Sequence, residues 1–376
     1  MNENLKILFL SRASLFSVRG GDTVQVTKTA EALQRSGVAV DIRLCNEKKI
    51  DYTGYDLIHF FNIRHPADML SHIEMSKLPY VISTIYVNYE KPPERKGNGI
   101  KDGILNLFGS DTQEYIKTMG KSIFNGEKIV SGNYVWKGHK RSVRWILSNA
   151  AWLLPNSESE YKRLLNAYQV EKKYSVIPNG ADTSLFNYTN EELGMKDNNM
   201  VLCVARIELL KNQLNLIEAL NGTSFQLYLI GDPAPNHLGY YNECKKIAGS
   251  NVHFLSAMPQ EELVKYYRRA KVHVLPSWFE TTGLSSLEAL YCGCNIVVTN
   301  YGDTADYYDP TNCLFCNPAS IDSIREAVEK AAAGEIKADY IESVSSKFNW
   351  QQAGEKTLNA YQQVIGNKQL AINKKQ

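Results

Sequence analysis

In the stretch SWFETTGLSSLEALYCG, which runs from Ser277 to Gly293, two glutamates, Glu280 and Glu288, bracket a turn. Carboxylates are good acceptors for sugar hydroxyls. Between them, Thr282, Gly283 and Leu284 would open a helix. Its first N–H groups lack intrahelical partners and make an anion site suited to a diphosphate. Gly283 would allow close approach of the backbone. Glu288 would lie about a turn and a half further on, roughly 8 Å along the axis at about 1.5 Å per residue. One carboxylate could then reach hydroxyls on each side of a diphosphate, which is the layout of ribose, diphosphate and sugar in a nucleotide-sugar. A helix with one capping and one surface glutamate would carry the same string.

A second pair is cationic. VLCVARIELLKNQ places Arg206 just past an apolar run and Lys211 near the next helix start. Arg grips oxygens bidentately and Lys acts as a mobile point charge, so the two could neutralise a diphosphate leaving group. In isolation they also read as two solvated surface charges. A third element is Gly20-Gly21, after the apolar run LKILFLS and before an amphipathic helix. Adjacent glycines at a strand-to-helix turn let amides approach an oxyanion. The only G-x-G nearby, Gly97-Asn98-Gly99, sits in a polar loop, which argues against a dinucleotide fingerprint.

The elements that must carry these residues alternate. LKILFLS, VAVDIRLC, YDLIHFFN, YVISTIYV and WLLPNS read as strands with helical patterns between them. MVLCVAR, FQLYLIGD, NVHFL, VHVLPS and NIVVTN repeat the rhythm. Short apolar strands alternating with helices predict parallel sheets covered on both faces. Two such sets predict two Rossmann-like domains facing across a cleft, joined near Pro178-Asn179-Gly180. The expected division is 1–176, 177–350 and a C-terminal helix and tail at 351–376. Residues 88–137 are rich in Pro, Gly and polar groups at first and are read as a loop covering an acceptor site.

Composition sets the frame. The 376 residues are 44% hydrophobic and 22% charged, a globular balance. Seven cysteines do not form a disulfide scaffold at this length. Cys292, Cys294, Cys313 and Cys316 could suggest zinc, but free core thiols explain them better. Residues 1–175 hold 25 Lys/Arg against 18 Asp/Glu, whereas 176–376 hold 17 against 22. No apolar run approaches a membrane span, and the N-terminus lacks a signal-peptide layout, so a cytoplasmic location is expected. WKGHKRSVRWILSNAAWLL sets Lys137, His139, Lys140, Arg141 and Arg144 beside Trp136, Trp145, Ile146 and Leu147. As a helix it could lie in a membrane interface, unless its apolar face packs in the core.

Together these motifs resemble the retaining glycosyltransferases of the GT-B fold, glycosyltransferase family 4. The likeness rests on Glu280-x7-Glu288, Arg206 with Lys211, and Gly20-Gly21. PNSESE at Pro155–Glu160, VIPNGAD at Val176–Asp182 and LIGD at Leu229–Asp232 add to it. It covers most of the chain and is weakest from Asn88 to Trp136. It implies an α/β GT-B fold with a C-terminal helix crossing back to the first domain. It also implies a nucleotide-sugar donor and a glycan or polyprenyl-diphosphate-linked acceptor, in bacterial surface polysaccharide synthesis. By resemblance, Arg206 and Lys211 bind the donor diphosphate and Glu280 contacts the transferred sugar. Thr282, Gly283 and Leu284 offer amides, Glu288 holds the ribose, the Met258 neighbourhood lines the base pocket, and Gly20-Gly21 close over the phosphates. The resemblance implies no metal and no cofactor, and the chain has no Asp-x-Asp. Many relatives carry a histidine near the reacting sugar, where this sequence is expected to place Tyr86; a packed strand-end aromatic is the other reading. A non-catalytic GT-B subunit and a sugar-nucleotide epimerase stay open as alternatives.

Overall fold

A computed structural model describes residues 5–18, 20–47, 49–87, 132–335 and 337–373. The segment 88–131, most of the expected acceptor loop, lies outside these residues, as do the side chains of Trp136 and Lys137. The chain divides into two compact units, Met1–Pro178 with Gln351–Gln376, and Asn179–Trp350.

The first unit contains β1 Lys6–Ser11, α1 Gly21–Arg35, β2 Ala39–Leu44, β3 Leu57–Phe61 and α2 Pro66–Ser76. β4 Tyr80–Ser83, α3 Gly132–Asn149, β5 Trp152–Leu153 and α4 Glu158–Tyr168 follow. The strands form one sheet in the order β2-β1-β3-β4-β5, and every pairing is parallel. Leu8, Leu10, Ile58, Phe60 and Ile82 point to one face, into a core with α2, α3 and α4. Phe9 and His59 point to the other face.

The second unit begins with α5 Asn190–Gly194, β6 Asp197–Val204, a 3₁₀ turn Leu209–Lys211 and α6 Gln213–Leu220. β7 Gln226–Ile230, α7 Leu238–Ile247, β8 Val252–Leu255, α8 Gln260–Arg269 and β9 Ala270–Leu275 come next. It ends with α9 Leu284–Tyr291, β10 Asn295–Thr299, α10 Thr304–Tyr307, β11 Leu314–Cys316, α11 Ile321–Ala333 and α12 Ala338–Lys347. The sheet runs β11-β10-β9-β6-β7-β8, again all parallel. Along β6, Met200 and Leu202 face one cluster while Val201 and Cys203 face the other. Burial on both faces explains why the strand reads as an unbroken apolar run. Each fully buried side chain of this kind contributes about 1.5–3 kcal/mol.

The last helix, α13 Trp350–Asn373, belongs to the first unit from Gln351 onward. Tyr361 Oη lies 2.7 Å from His59 Nδ1, and Ser83 Oγ lies 2.9 Å from His59 Nε2. His59 is thus a structural link between α13 and the sheet, with burial holding its pKa down at about 3.

Of the two readings of WKGHKRSVRWILSNAAWLL, the fold shows the apolar face packed in the core. Gly138, at φ 70° and ψ 172°, kinks α3, and Val143, Ile146 and Leu147 beyond the kink are fully buried in the first unit's core. The apolar face is committed to packing, while Lys140, Arg141 and Arg144 stay exposed. Among the described residues no helix is long and apolar enough to cross a membrane. Cys292, Cys294, Cys313 and Cys316 are buried free thiols, and Cys294 Sγ donates to Tyr267 O at 3.1 Å.

Candidate active site

In the second unit the strand order reverses at β6 and β9, which are neighbours although β7 and β8 come between them in the chain. Open parallel sheets bind ligands at the carboxyl end of such a switch point. The loops leaving these two strands carry Arg206, Lys211 and Glu280.

The arginine loop is pinned to the loop after β7. Ala205 N donates to Ile230 O at 3.1 Å and Ile207 N to Asp232 O at 2.9 Å. Gly231 of LIGD has φ +147°, and a Cβ there would fall 2.1 Å from Ala205 O. Arg206 itself stays near half exposed at 46%, with Nη2 3.2 Å from Glu208 Oε1. Its ion-pair partner is therefore not Glu280.

The lysine loop is stapled to the β9 exit. Asn212 adopts φ 59°, and its Nδ2 donates to Pro276 O at 3.1 Å and Pro318 O at 2.8 Å. Trp278 N donates to Leu210 O at 2.9 Å. Lys211 Nζ thereby reaches Glu280 Oε2 at 2.6 Å, and Ser277 Oγ donates to the same oxygen at 3.1 Å. Behind Glu280, Asp303 N donates to its carbonyl at 2.8 Å.

The turn after Glu280 is ordered from behind. Asn179 Nδ2 donates to Thr282 Oγ1 at 3.2 Å, and Tyr307 Oη accepts from Asn179 N at 3.1 Å. Tyr308 Oη lies 3.3 Å from Thr282 O and 3.2 Å from Gly283 O. Gly283, at φ 64°, caps α9. Among the described residues the amides of Thr282, Gly283, Leu284 and Ser285 have no hydrogen-bond partner. The turn's carbonyls face protein donors while its N–H groups are left for an anion.

Glu288 is partly buried on α9, held by α8: Gln260 Nε2 lies 3.1 Å from Oε1 and Tyr267 Oη 3.2 Å from Oε2. Burial raises its pKa and these two bonds lower it, leaving it at about 7. Each oxygen keeps acceptor capacity, which suits a pair of neighbouring hydroxyls. Met258 lies on the β8–α8 connection, two residues before Gln260, partly buried against the core.

Gly20 and Gly21 belong to the first unit, at the β1–α1 turn. Gly20 is extended at φ −157°, so the turn does not require glycine for a left-handed backbone. The loop is shaped by Arg12, which pairs with Asp22 at 2.6 and 3.0 Å and caps Val18 O at 2.8 Å. Tyr86 is buried, its ring packed 5.6 Å from that of Tyr168, so its side chain serves the core. Sequence reading missed Ser277, Asn212, Asn179, Gln260 and Tyr267. Only Asn212, beside Lys211 before an apolar helix, gave a local signal.

Residues 187–347 match the family described as Glycosyl transferases group 1. The chain is 23% identical over 255 residues to the D-inositol 3-phosphate glycosyltransferase of Acidothermus cellulolyticus, a match covering 61% of this chain and 57% of that relative. It thus spans little more than half of that protein's length. Its structure resembles sucrose-phosphate synthase from Thermosynechococcus elongatus, with TM-score 0.72 and 18% identity over 96% of this chain and 100% of that one. It also resembles Anabaena HepE in complex with UDP, with TM-score 0.70 and 15% identity, again over 96% and 100%. The fold is GT-B. The match over 187–347 supports a glycosyltransferase.

Proposed function

We propose that this chain is a retaining, metal-independent glycosyltransferase of family 4. It moves a sugar from a nucleotide-sugar to a glycan or polyprenyl-diphosphate-linked acceptor, in the cytoplasm, for bacterial surface polysaccharide. The observation that carries the reading is the Lys211–Glu280 pair at 2.6 Å beside the unpartnered amides of residues 282–285. That arrangement supplies a cation and N–H groups for a diphosphate and a carboxylate for a sugar at one strand-end crevice. The likeness to HepE, seen with UDP and with UDP-glucose, favours a uridine donor over a guanosine one.

On donor binding, Lys211 would turn from Glu280 toward the diphosphate, and Arg206, already near half exposed, would join it. Glu280 is then released to accept from sugar hydroxyls. The acceptor oxygen bonds to the anomeric carbon on the face the diphosphate leaves. The departing oxygen keeps the electron pair and takes the acceptor's proton. Lys211, Arg206 and the α9 terminus hold the charge that develops. Glu288 would hold the ribose.

The test is incubation with UDP-glucose or a GDP-hexose in excess chelator, with nucleotide release and product anomer read by NMR. Release with retained configuration is expected. Release only after magnesium or manganese is added would count against the reading, as would none from either donor.

A further inference from the structure

Tyr307 and Tyr308, whose hydroxyls order the 282–283 turn, also line a cavity of about 900 Å³ that lies wholly within the second unit. Small-molecule sites span roughly 300–1,000 Å³. The cavity is bounded by α10, the loop 309–312, α12 and Phe348. Its walls are pinned. Lys337 Nζ donates to Thr311 O at 3.1 Å and to Asn312 Oδ1 at 3.0 Å. Tyr340 Oη accepts from Asp309 N at 3.0 Å, and Asp309 Oδ1 accepts from Thr311 N at 2.9 Å. Tyr307, Val344 and Phe348 supply apolar lining, with the two rings 4.9 Å apart.

The polar lining is uncommitted. Among the described residues the side chains of Asp339, Ser343 and Lys347 have no hydrogen-bond or ion-pair partner. They follow one another at four-residue steps on α12, so they stand in a row on one helix face. An acceptor, a hydroxyl and a donor thus run beside an aromatic surface. Over the whole lining, Asp306, Asp309, Glu335 and Asp339 outnumber Lys337 and Lys347. An anion would meet net repulsion, and a cation would meet the unpaired Lys347. A neutral polyhydroxylated ligand suits both signs, because each hydroxyl donates and accepts. The C–H surface of a sugar ring suits the aromatic part.

The same tyrosines reach the other way. Tyr307 Oη accepts from Asn179 N at 3.1 Å, and Asn179 Nδ2 donates to Thr282 Oγ1 at 3.2 Å. Tyr308 Oη lies 3.3 Å from Thr282 O and 3.2 Å from Gly283 O. We infer that the cavity is a saccharide site separate from the β6–β9 crevice, and that its occupant tightens nucleotide binding by fixing these two tyrosines. A turn ordered in advance binds a diphosphate without the full cost of ordering it. The tightening, though not the site, rests on the glycosyltransferase reading. By linkage it is reciprocal, and such couplings are typically about 5–150-fold.

Saturation-transfer NMR and calorimetry of the full chain test this with maltotriose, lactose and a mannose disaccharide, each with and without UDP or GDP. At least one saccharide should bind, and it and the nucleotide should each tighten the other by at least about fivefold. Ser343→Trp, at an exposed position, should fill the cavity and abolish saccharide binding, while nucleotide alone binds as in the wild type. Asp339→Ala combined with Lys347→Ala carries the same test should Ser343→Trp not fold, and should weaken the saccharide by about fivefold or more. Binding of none of the saccharides, or binding unchanged in these variants, overturns the inference while the function reading stands. Saccharide binding that the variants abolish, with nucleotide affinity the same whether or not saccharide is present, overturns the tightening. No binding of either nucleotide by the wild type overturns the function reading and the tightening together, and the variants then decide the site.

Discussion

Lys211 Nζ lies 2.6 Å from Glu280 Oε2, and the two side chains are only 19% and 9% exposed. They stand 69 residues apart in the chain. Each is the other's counter-ion before any donor binds, so a ligand must share the pair or split it. Arg206, at 46% exposure and held by Glu208, stands outside that pair.

Lys211→Ala should therefore cost both activity and stability. It leaves Glu280 with Ser277 and without this cation, so a loss of roughly 1–3 kcal/mol is expected, below the about 3–5 of a fully buried pair. Turnover should fall about 10²–10³-fold. Arg206→Ala should lower turnover with a melting temperature close to wild type, since exposed pairs contribute only about 0–1 kcal/mol. Circular dichroism melts beside a donor-hydrolysis assay separate the two. Equal melting losses would place Arg206 in the buried pair.

Glu288 gives a pH signature. Its ordinary value is 4.5 and its folded value about 7. Between these the folded chain holds a proton that the unfolded chain has released. This contribution to stability is therefore greatest below 4.5 and declines as pH rises to about 7. His59 and His273 act oppositely: burial lowers each to about 3, so stability is lost as pH falls from 6.5 toward 3. The difference in unfolding free energy between wild type and Glu288→Gln isolates the glutamate. It should slope between pH 4.5 and 7 and be flat above. A flat difference throughout would mean an ordinary carboxyl.

Gly302 is a steric requirement of the loop that carries Glu280. At φ +104°, a Cβ there would fall 2.0 Å from Glu280 O. Gly302→Ala should displace Glu280, with large losses of activity and stability. Gly222→Ala, at φ +71° with nothing within 4 Å, should cost only the left-handed penalty of about 1–2 kcal/mol. Matching losses in the two variants would show that position 302 is not sterically coupled to Glu280.

What the sequence could show was local. The alternation of apolar runs with helical patterns gave both parallel sheets, because burial on two faces writes itself into consecutive residues. Glu280-x7-Glu288 was legible because one loop and one helix carry it. The partners were not legible. Asn179 to Thr282, Lys211 to Glu280 and Tyr267 to Glu288 are brought together by strand order, which no short window encodes. The α3 face stayed open between two readings because a helix amphipathic enough for a membrane is also amphipathic enough for a core. Tyr86 stayed open for a related reason: whether a strand-end aromatic packs depends on a distant partner, here the Tyr168 ring.

Tyr361→Phe tests the anchoring of α13. It removes the hydroxyl 2.7 Å from the buried His59 Nδ1. A loss of about 1–3 kcal/mol is expected for a buried polar group left without this partner. Urea unfolding should show it, and a midpoint equal to wild type would mean that the hydrogen bond adds nothing.

The central claim is that the β6 and β9 exits hold a nucleoside diphosphate between Lys211 and the free amides of α9. Calorimetric titration of the full chain with UDP and with GDP, in chelator at pH 8, measures this directly. The wild type should bind at least one of them, and Lys211→Ala should bind the same nucleotide at least tenfold more weakly. No binding of either by the wild type, or equal binding by Lys211→Ala, would contradict the account.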